Sequence, residues 1–337
     1  MWYSVSIVFI SLRLETMDSW PLLLCTLITV FCLIYLWEVA RSYRKNSSRL
    51  TTSILSVNMD GIEAFTNPAT TEQFIDDQCY DKFYAKVYDP LVQPIARAPM
   101  ETKMALEWFN GNDTAGPKKS LDTLRIADIG CGTGIHVELF LQQGVQSVVG
   151  FDKSKAMIAE AHSRFPDHTS HFIVGDASVP TMTTAGQYDL ITMFYFTVYM
   201  VPERTQLLRN VYLWLDMGGY FLVHIVNKHK MDPVLESASP FVGFSIQKYA
   251  DERITKSQVE FDKFSYTGDF NLHGSRATYE EIFQFKDGRT RRHEQRLWMP
   301  DIKVMVEEIE SVGFKMKHYV DLVALGYEYQ YLFFFEK

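Results

Sequence analysis

Leu124 to Phe140, LRIADIGCGTGIHVELF, runs from an apolar stretch ending in Asp128 through Gly130, Gly132 and Gly134 into a helix-like pattern. That order reads as a strand, a glycine turn and a helix N-terminus. Glycine lacks Cβ, so the backbone can take positive φ and bring its amides against a ligand. The spacing, D-x-G-x-G-x-G, is not the G-x-G-x-x-G of dinucleotide folds, whose third glycine packs helix on sheet beneath a pyrophosphate. Taken alone, the triplet is as compatible with an ordinary strand-helix turn as with a ligand cradle.

Further strands follow in sequence. SVVGFDKS (147–154) ends in Asp152, and HFIVGDAS (171–178) ends in Asp176. YDLITMF (188–194) and GGYFLVHIVN (218–227) complete a set of five, and acids at successive strand ends mark the carboxyl edge of a parallel sheet. Asp301 to Val312 has helical spacing with Gly313 as its C-cap, and FKMKHYVDL and YEYQYLFFFEK then read as a strand pair joined by ALG.

From about Tyr80 to Lys337 this order resembles the class I S-adenosylmethionine-dependent methyltransferases, with motif I at the glycines. The resemblance implies an α/β fold: a Rossmann-like seven-stranded sheet closed by a C-terminal antiparallel hairpin. It implies that Gly130, Cys131, Gly132, Thr133 and Gly134 wrap the methionine part of the cofactor above Asp128. Asp152, with Lys153, would take the ribose; Asp176 and Ala177 would face the adenine. Tyr84 and Phe194 would add aromatic walls. Asp176 is also readable as a helix N-cap before SVPTM, and Cys131 sits in a variable slot of the motif rather than as a nucleophile.

Acceptor chemistry is less legible. Methyl transfer needs alignment and exclusion of water more than an acid-base constellation. FYFTVYM (194–200) follows the fourth strand, where similar enzymes contact acceptors, so Tyr195 and Tyr199 are candidates beside a core-packing reading. His224 is a candidate base for a hydroxyl acceptor, or a buried core histidine. The Asn/Asp-Pro-Pro-Tyr/Phe motif of many adenine and glutamine N-methyltransferases is absent. His162, His168 and His171 straddle a helix-to-strand loop, and no metal site is expected.

Two segments flank the cofactor strands. Phe74 to Phe109 reads as helices in a lid over 73–120, with Tyr80, Tyr84 and Tyr88 on one helix face, either near a sulfonium or packed on the sheet. Lys228 to Met299 is longer than a connection needs and alternates like hairpins, an antiparallel lid at about 229–298 similar to that of glycine and sarcosine N-methyltransferases. Arg289, Arg291, Arg292 and Arg296 there could read a phosphate or carboxylate, or form a solvated strand face.

The chain has 337 residues, 47% of them hydrophobic, enough for one large domain with appendages. A net charge of -8 gives no footprint for nucleic acid. Four cysteines show neither zinc nor disulfide spacing, favouring a reducing compartment. WPLLLCTLITVFCLIYLW (20–37) lacks charge and is bracketed by tryptophans, so a transmembrane helix is expected over 20–40. It would follow a short segment over 1–19 and precede a basic, then polar tether over 41–72. Arg41, Arg44, Lys45 and Arg49 would keep the catalytic domain cytosolic in a single-pass membrane protein. Met1 to Leu12 is too short to span, and Met17 is an alternative start.

The expectation is thus a membrane-anchored S-adenosylmethionine-dependent methyltransferase, domain 121–337, acting by in-line displacement on a small-molecule or lipid-associated acceptor. The alternatives are a cofactor-binding regulatory or scaffold protein without turnover and a protein or nucleic-acid methyltransferase.

Overall fold

The computed structural model describes residues 29–30, 55–65, 71–109, 116–238, 247, 250 and 252–337. In chain order the elements are β1 (Thr71–Ile75), α1 (Lys82–Val92), α2 (Ala98–Phe109), β2 (Arg125–Ile129), α3 (Ile135–Gln142), β3 (Ser147–Asp152), α4 (Lys155–Arg164), β4 (Phe172–Val174) and β5 (Tyr188–Met193). They continue with α5 (Arg204–Trp214), β6 (Leu215–Val226), β7 (Lys256–Glu260), β8 (Phe264–His273), β9 (Arg276–Phe285), β10 (Thr290–Trp298), α6 (Ile302–Glu310), β11 (Lys315–Asp321) and β12 (Gln330–Glu336).

Seven strands form one sheet in the order β11-β12-β6-β5-β2-β3-β4. β4, β3, β2, β5 and β6 run parallel, and β12 and β11 close the edge antiparallel. β5 is buried at every position, as a strand covered on both faces must be. Alternation along β12 feeds two cores: Phe333 and Phe335 join Trp214, Met193 and Phe221 on one face, and Leu332 and Phe334 join Phe140 and Trp108 on the other.

A second sheet, β1-β10-β9-β8-β7, is antiparallel except for the parallel pair β1 and β10. Phe83 of α1 packs on Phe264 and Phe283 of this sheet, which makes a third core. The segment expected to be helical from Phe74 therefore starts as a strand. Its alternation is carried by Glu72 and Phe74, and Phe74 packs 3.7 Å from the Arg291 guanidinium of β10, so tertiary pairing decides its conformation.

Residues 48–337 make one compact unit and residues 1–47 another. The expectation of a membrane-spanning helix and single-pass localisation is corrected. Among the described residues no helix is long and apolar enough to cross a membrane; the longest described helix, α2, has 12 residues, well short of the roughly 20 a bilayer requires. Apart from Thr29 and Val30, which are helical and exposed, segment 20–40 lies outside the described residues.

Candidate active site

β2 pairs with β3 on one side and β5 on the other, so these strands deliver their loops to one carboxyl edge. The strand order reverses between β2 and β5, which opens the crevice where parallel α/β sheets take ligands.

The glycines after β2 all have positive φ, +72° at Gly130, +56° at Gly132 and +88° at Gly134, but they serve different ends. A Cβ on Gly130 would lie 2.4 Å from Thr197 Cγ2, and one on Gly134 2.5 Å from Phe172 Cε1, so these two let neighbouring elements close in. Over Gly132 there is room, the nearest atom to a Cβ being Met157 Cε at 3.9 Å. The Gly132 N–H donates to Asp152 Oδ2 at 2.9 Å, and the Ser154 N–H donates to Oδ1 at 2.8 Å. Burial pushes the Asp152 carboxyl up despite both bonds. The side chain is thus fixed at the end of β3 with acceptor capacity left over.

Asp128 lies beneath the turn and accepts from Thr192 Oγ1 at 2.7 Å. Burial raises its carboxyl to about 6, against the opposing pull of His136. Thr133 donates to Asp89 Oδ1 at 2.7 Å and accepts from Arg164, tying α1 and α4 to the turn. The Cys131 thiol is buried and pushed well up by that burial, so it is no thiolate at neutral pH.

Beyond β4, Asp176 Oδ1 accepts from the N–H and the hydroxyl of Ser178 at 2.9 and 2.7 Å, which closes a local turn and is not the expected helix cap, since the short helix that follows has Val179 at its N-cap. Its other oxygen lies 3.7 Å from Lys153 Nζ, and Lys153 also pairs with Asp77. The Ala177 carbonyl accepts from Asn210 Nδ2 at 2.8 Å. Phe194 stacks on His136 with centroids 4.1 Å apart.

A second region opens at the same edge. Tyr80, Tyr84 and Tyr88 from the start of the unit, Tyr195 after β5, Glu236 after β6, and Tyr279 and Leu297 from the second sheet line a cavity of about 120 Å³. Tyr88 is close enough to both Asp152 and Glu236 for their charges to hold its hydroxyl up, burial being the larger cause, so the cavity adjoins the cofactor turn.

Tyr195 has φ +52°, a left-handed backbone that costs a side-chain-bearing residue of order 1–3 kcal/mol. Two contacts hold it there: its carbonyl accepts from His224 Nδ1 at 2.6 Å, and its ring lies 5.0 Å from the Arg97 guanidinium. His224 does not line the cavity. Burial, then Arg97, lowers the imidazole to about 4, so it is neutral, with Nε2 facing Arg97 Nη2 at 3.4 Å.

Arg97 pairs with Glu101 at 2.6 Å, and Glu101 reaches His136 Nε2 at 2.9 Å. Burial alone would raise the Glu101 carboxyl, but Arg97 and His136 hold it far below its ordinary value. Tyr199 Oη accepts the Val226 N–H at 2.8 Å, completing the end of β6, and is also absent from the cavity wall.

The remaining candidates are occupied elsewhere. Arg291 is fully buried, donating to the Ala64 carbonyl at 2.7 Å and paired with Asp81 at 2.8 Å. Arg289 pairs with Asp287 and Arg296 with Asp76, while Arg292 is exposed, so none of the four enters the cavity. His162 and His171 bond the Phe172 and Val148 carbonyls, and His168 bonds Glu138. Among the described residues no cluster could hold a metal.

Of the residues singled out in the sequence, the structure brings the glycine turn and Asp152 together and places Tyr80, Tyr84 and Tyr88 in the cavity wall. Sequence reasoning missed Arg97, Glu101 and Glu236, isolated charges in otherwise unremarkable segments. Their only sequence signal is a charge set among residues that the fold buries.

Fold and site define an α/β cofactor-binding enzyme. Residues 126–219 match the family model described as a methyltransferase domain, and the chain is an S-adenosylmethionine-dependent methyltransferase with S-adenosylmethionine as its cofactor. No curated protein matches the chain.

Three solved structures share the fold at low identity. An S-adenosylmethionine-dependent methyltransferase from Clostridium acetobutylicum is 16% identical, with TM-score 0.55, covering 77% of this chain and 98% of its own. The CcbJ methyltransferase of Streptomyces caelestis is 15% identical, with TM-score 0.53, covering 76% and 96%. DesVI of Streptomyces venezuelae is 16% identical, with TM-score 0.50, covering 75% and 97%.

Proposed function

We propose that this methyltransferase acts on a small acceptor that enters the tyrosine-lined cavity, while Gly132, Asp152 and Asp176 hold the cofactor beside it. The observation that carries the reading is the cavity's position: it lies at the sheet edge that bears the glycine turn, walled by Tyr195 and Phe196 after β5 and by Asp232 and Glu236 after β6.

The turn fits the cofactor. Space over Gly132 permits close approach, and Asp152 keeps lone pairs for a ribose diol. Asp176, already bonded to Ser178 through one oxygen, would offer the other to the adenine amine, with Lys153 3.7 Å from it. When bound, S-adenosylmethionine supplies a methyl group on a positively charged sulfur. The chain's own part is to bind and align. The lid sheet and α1 wall the cavity with Tyr84, Tyr279 and Leu297, which keeps water from the reacting atoms. The cavity is too small for a macromolecular acceptor to enter bodily, so a small molecule or one protruding group is transferred to.

Calorimetric titration with S-adenosylmethionine, paired with turnover of Leu297→Trp, tests the proposal. A tryptophan at this half-enclosed wall fills the acceptor space. Turnover should fall, with cofactor affinity unchanged, because the larger ring occupies the space the acceptor would fill. Unchanged turnover would remove the cavity from the reaction.

A further inference from the structure

We infer that the acceptor is an amine, seated as its ammonium on Glu236 and relieved there of the proton that blocks attack. The inference rests on the cavity being the acceptor site and adds the chemistry of what fills it.

Glu236 opens the short turn that follows β6 and lines the cavity. Its Oε2 is buried and has no hydrogen-bond partner. A buried carboxylate oxygen with an unmade bond is a site prepared for a donor. The other charged groups around it are already committed. Arg97 is held in its ion pair with Glu101 and sandwiched between the Tyr195 and Tyr327 rings, at 5.0 and 4.5 Å. Asp232 accepts from the Val234 N–H and from Gln247.

The tyrosine hydroxyls are engaged as well, that of Tyr327 with the Glu236 carboxyl itself, which leaves Oε2 as the open acceptor. Tyr80 donates to Gln295 at 2.8 Å, Tyr84 to Glu281 at 2.9 Å, and Tyr279 pairs with Tyr266 at 3.0 Å. The cavity therefore offers an acceptor ring surfaces and one carboxylate oxygen, and both favour a cation. No Lys, Arg or His is among the described lining residues, so an anionic acceptor would face Glu236 and Asp232 with no cation in the wall, and a hydroxyl would find no imidazole base there. Burial raises the Glu236 carboxyl to about 7, with Arg97 opposing, which suits a group that must take and release a proton near neutrality.

The step balances. An N–H bond of the ammonium breaks and an O–H bond forms on Glu236. The freed nitrogen lone pair attacks the methyl carbon, the C–S bond breaks, and its electron pair stays on sulfur. The products are a methylated ammonium and S-adenosylhomocysteine, and Glu236 returns its proton to solvent.

The test uses the full chain with S-adenosylmethionine and three matched probes: phenethylamine, phenethyl alcohol and 3-phenylpropionate. Binding is measured in the presence of S-adenosylhomocysteine, and turnover as its release. The amine alone should bind and turn over, with kcat/KM falling as pH drops through about 7. Glu236→Gln should lower kcat/KM for the amine by about 100-fold or more and abolish that pH limb. Cofactor affinity, which reports that the variant folds, should be unchanged, and Glu236→Asp should restore part of the rate. Preference for the alcohol or the acid, or a Glu236→Gln enzyme that keeps both its rate and its pH limb, overturns the amine assignment and leaves the cavity reading standing. Binding of no probe, or probe binding indifferent to Leu297→Trp, overturns the cavity reading and the inference with it.

Discussion

The cofactor turn and the acceptor cavity share one sheet edge and are built in opposite ways. At the turn the partners are close in sequence: Gly132 and Ser154 hold Asp152 through backbone amides, on loops that leave adjacent parallel strands. The cavity instead collects residues from Tyr80 to Gln330, and most of its polar groups are satisfied across elements. A site made of backbone geometry persists through wide change in side chains. One made of side chains from five places is free to be rebuilt for another acceptor, so the turn should be a shared device of the fold and the cavity the part particular to this chain.

The two regions meet in one buried string. His136, just after the glycines, bonds Glu101; Glu101 pairs with Arg97; Arg97 packs on Tyr195 and faces His224. Removing Arg97 gives the largest expected effect, because it strands a fully buried Glu101 carboxylate. Arg97→Met should cost about 3–5 kcal/mol in urea unfolding. A loss below about 1 kcal/mol would break the view that this pair locks cavity wall to turn.

Asp152→Ala separates the regions functionally. It should weaken S-adenosylmethionine binding by roughly 1–3 kcal/mol through lost charge-assisted bonds. Binding of an acceptor probe to the cavity should be little altered. Calorimetry with each ligand reads both, and equal losses for the two would mean that the regions are one coupled site.

Protons discriminate the regions as well. His224, on the cavity side, has its imidazole depressed from 6.5 to about 4, so the unfolded chain binds more protons in that window. Its contribution to stability is complete above pH 6.5 and is lost as pH falls toward 4. Asp128, under the turn, is raised from 3.8 to about 6, so there the folded chain holds the extra proton and the slope is opposite. His224→Gln should flatten the acid loss of stability, and Asp128→Asn should steepen it, each by at most about 1.4 kcal/mol per pH unit. Urea midpoints across that range check both signs.

How far each region was legible follows from how it is built. Strand-end acids and a glycine triplet are local patterns, so the parallel α/β core and the turn could be read from the chain alone. Asp176 shows the limit of such reading: one carboxylate oxygen caps a turn while the other remains available, and no spacing separates those roles. β1 escaped because its polar pattern is stabilised only by pairing with β10, more than two hundred residues away. Arg291 was readable as an anion-binding cation or as part of a solvated strand face, and the fold realises neither, burying it against Phe74 and Asp81. Glu236 carried no signal beyond an isolated charge, since what distinguishes it is an unmade bond in a space that exists only once distant elements close.

The smallest expected effect decides between two readings of one tyrosine. Tyr199 stands in the aromatic run after β5, beside Tyr195, and by position alone either could touch an acceptor. Its hydroxyl accepts the Val226 N–H at the end of β6, and Tyr199 is not among the residues that line the cavity. Tyr199→Phe should therefore cost about 1 kcal/mol of stability, the worth of one buried bond, and leave kcat unaltered. A group in contact with the reacting atoms would instead lower kcat by about 100-fold or more with little change in stability. The two outcomes lie on different axes, so urea unfolding and steady-state turnover of the same variant show whether Tyr199 only supports the strand end or reaches the acceptor as well.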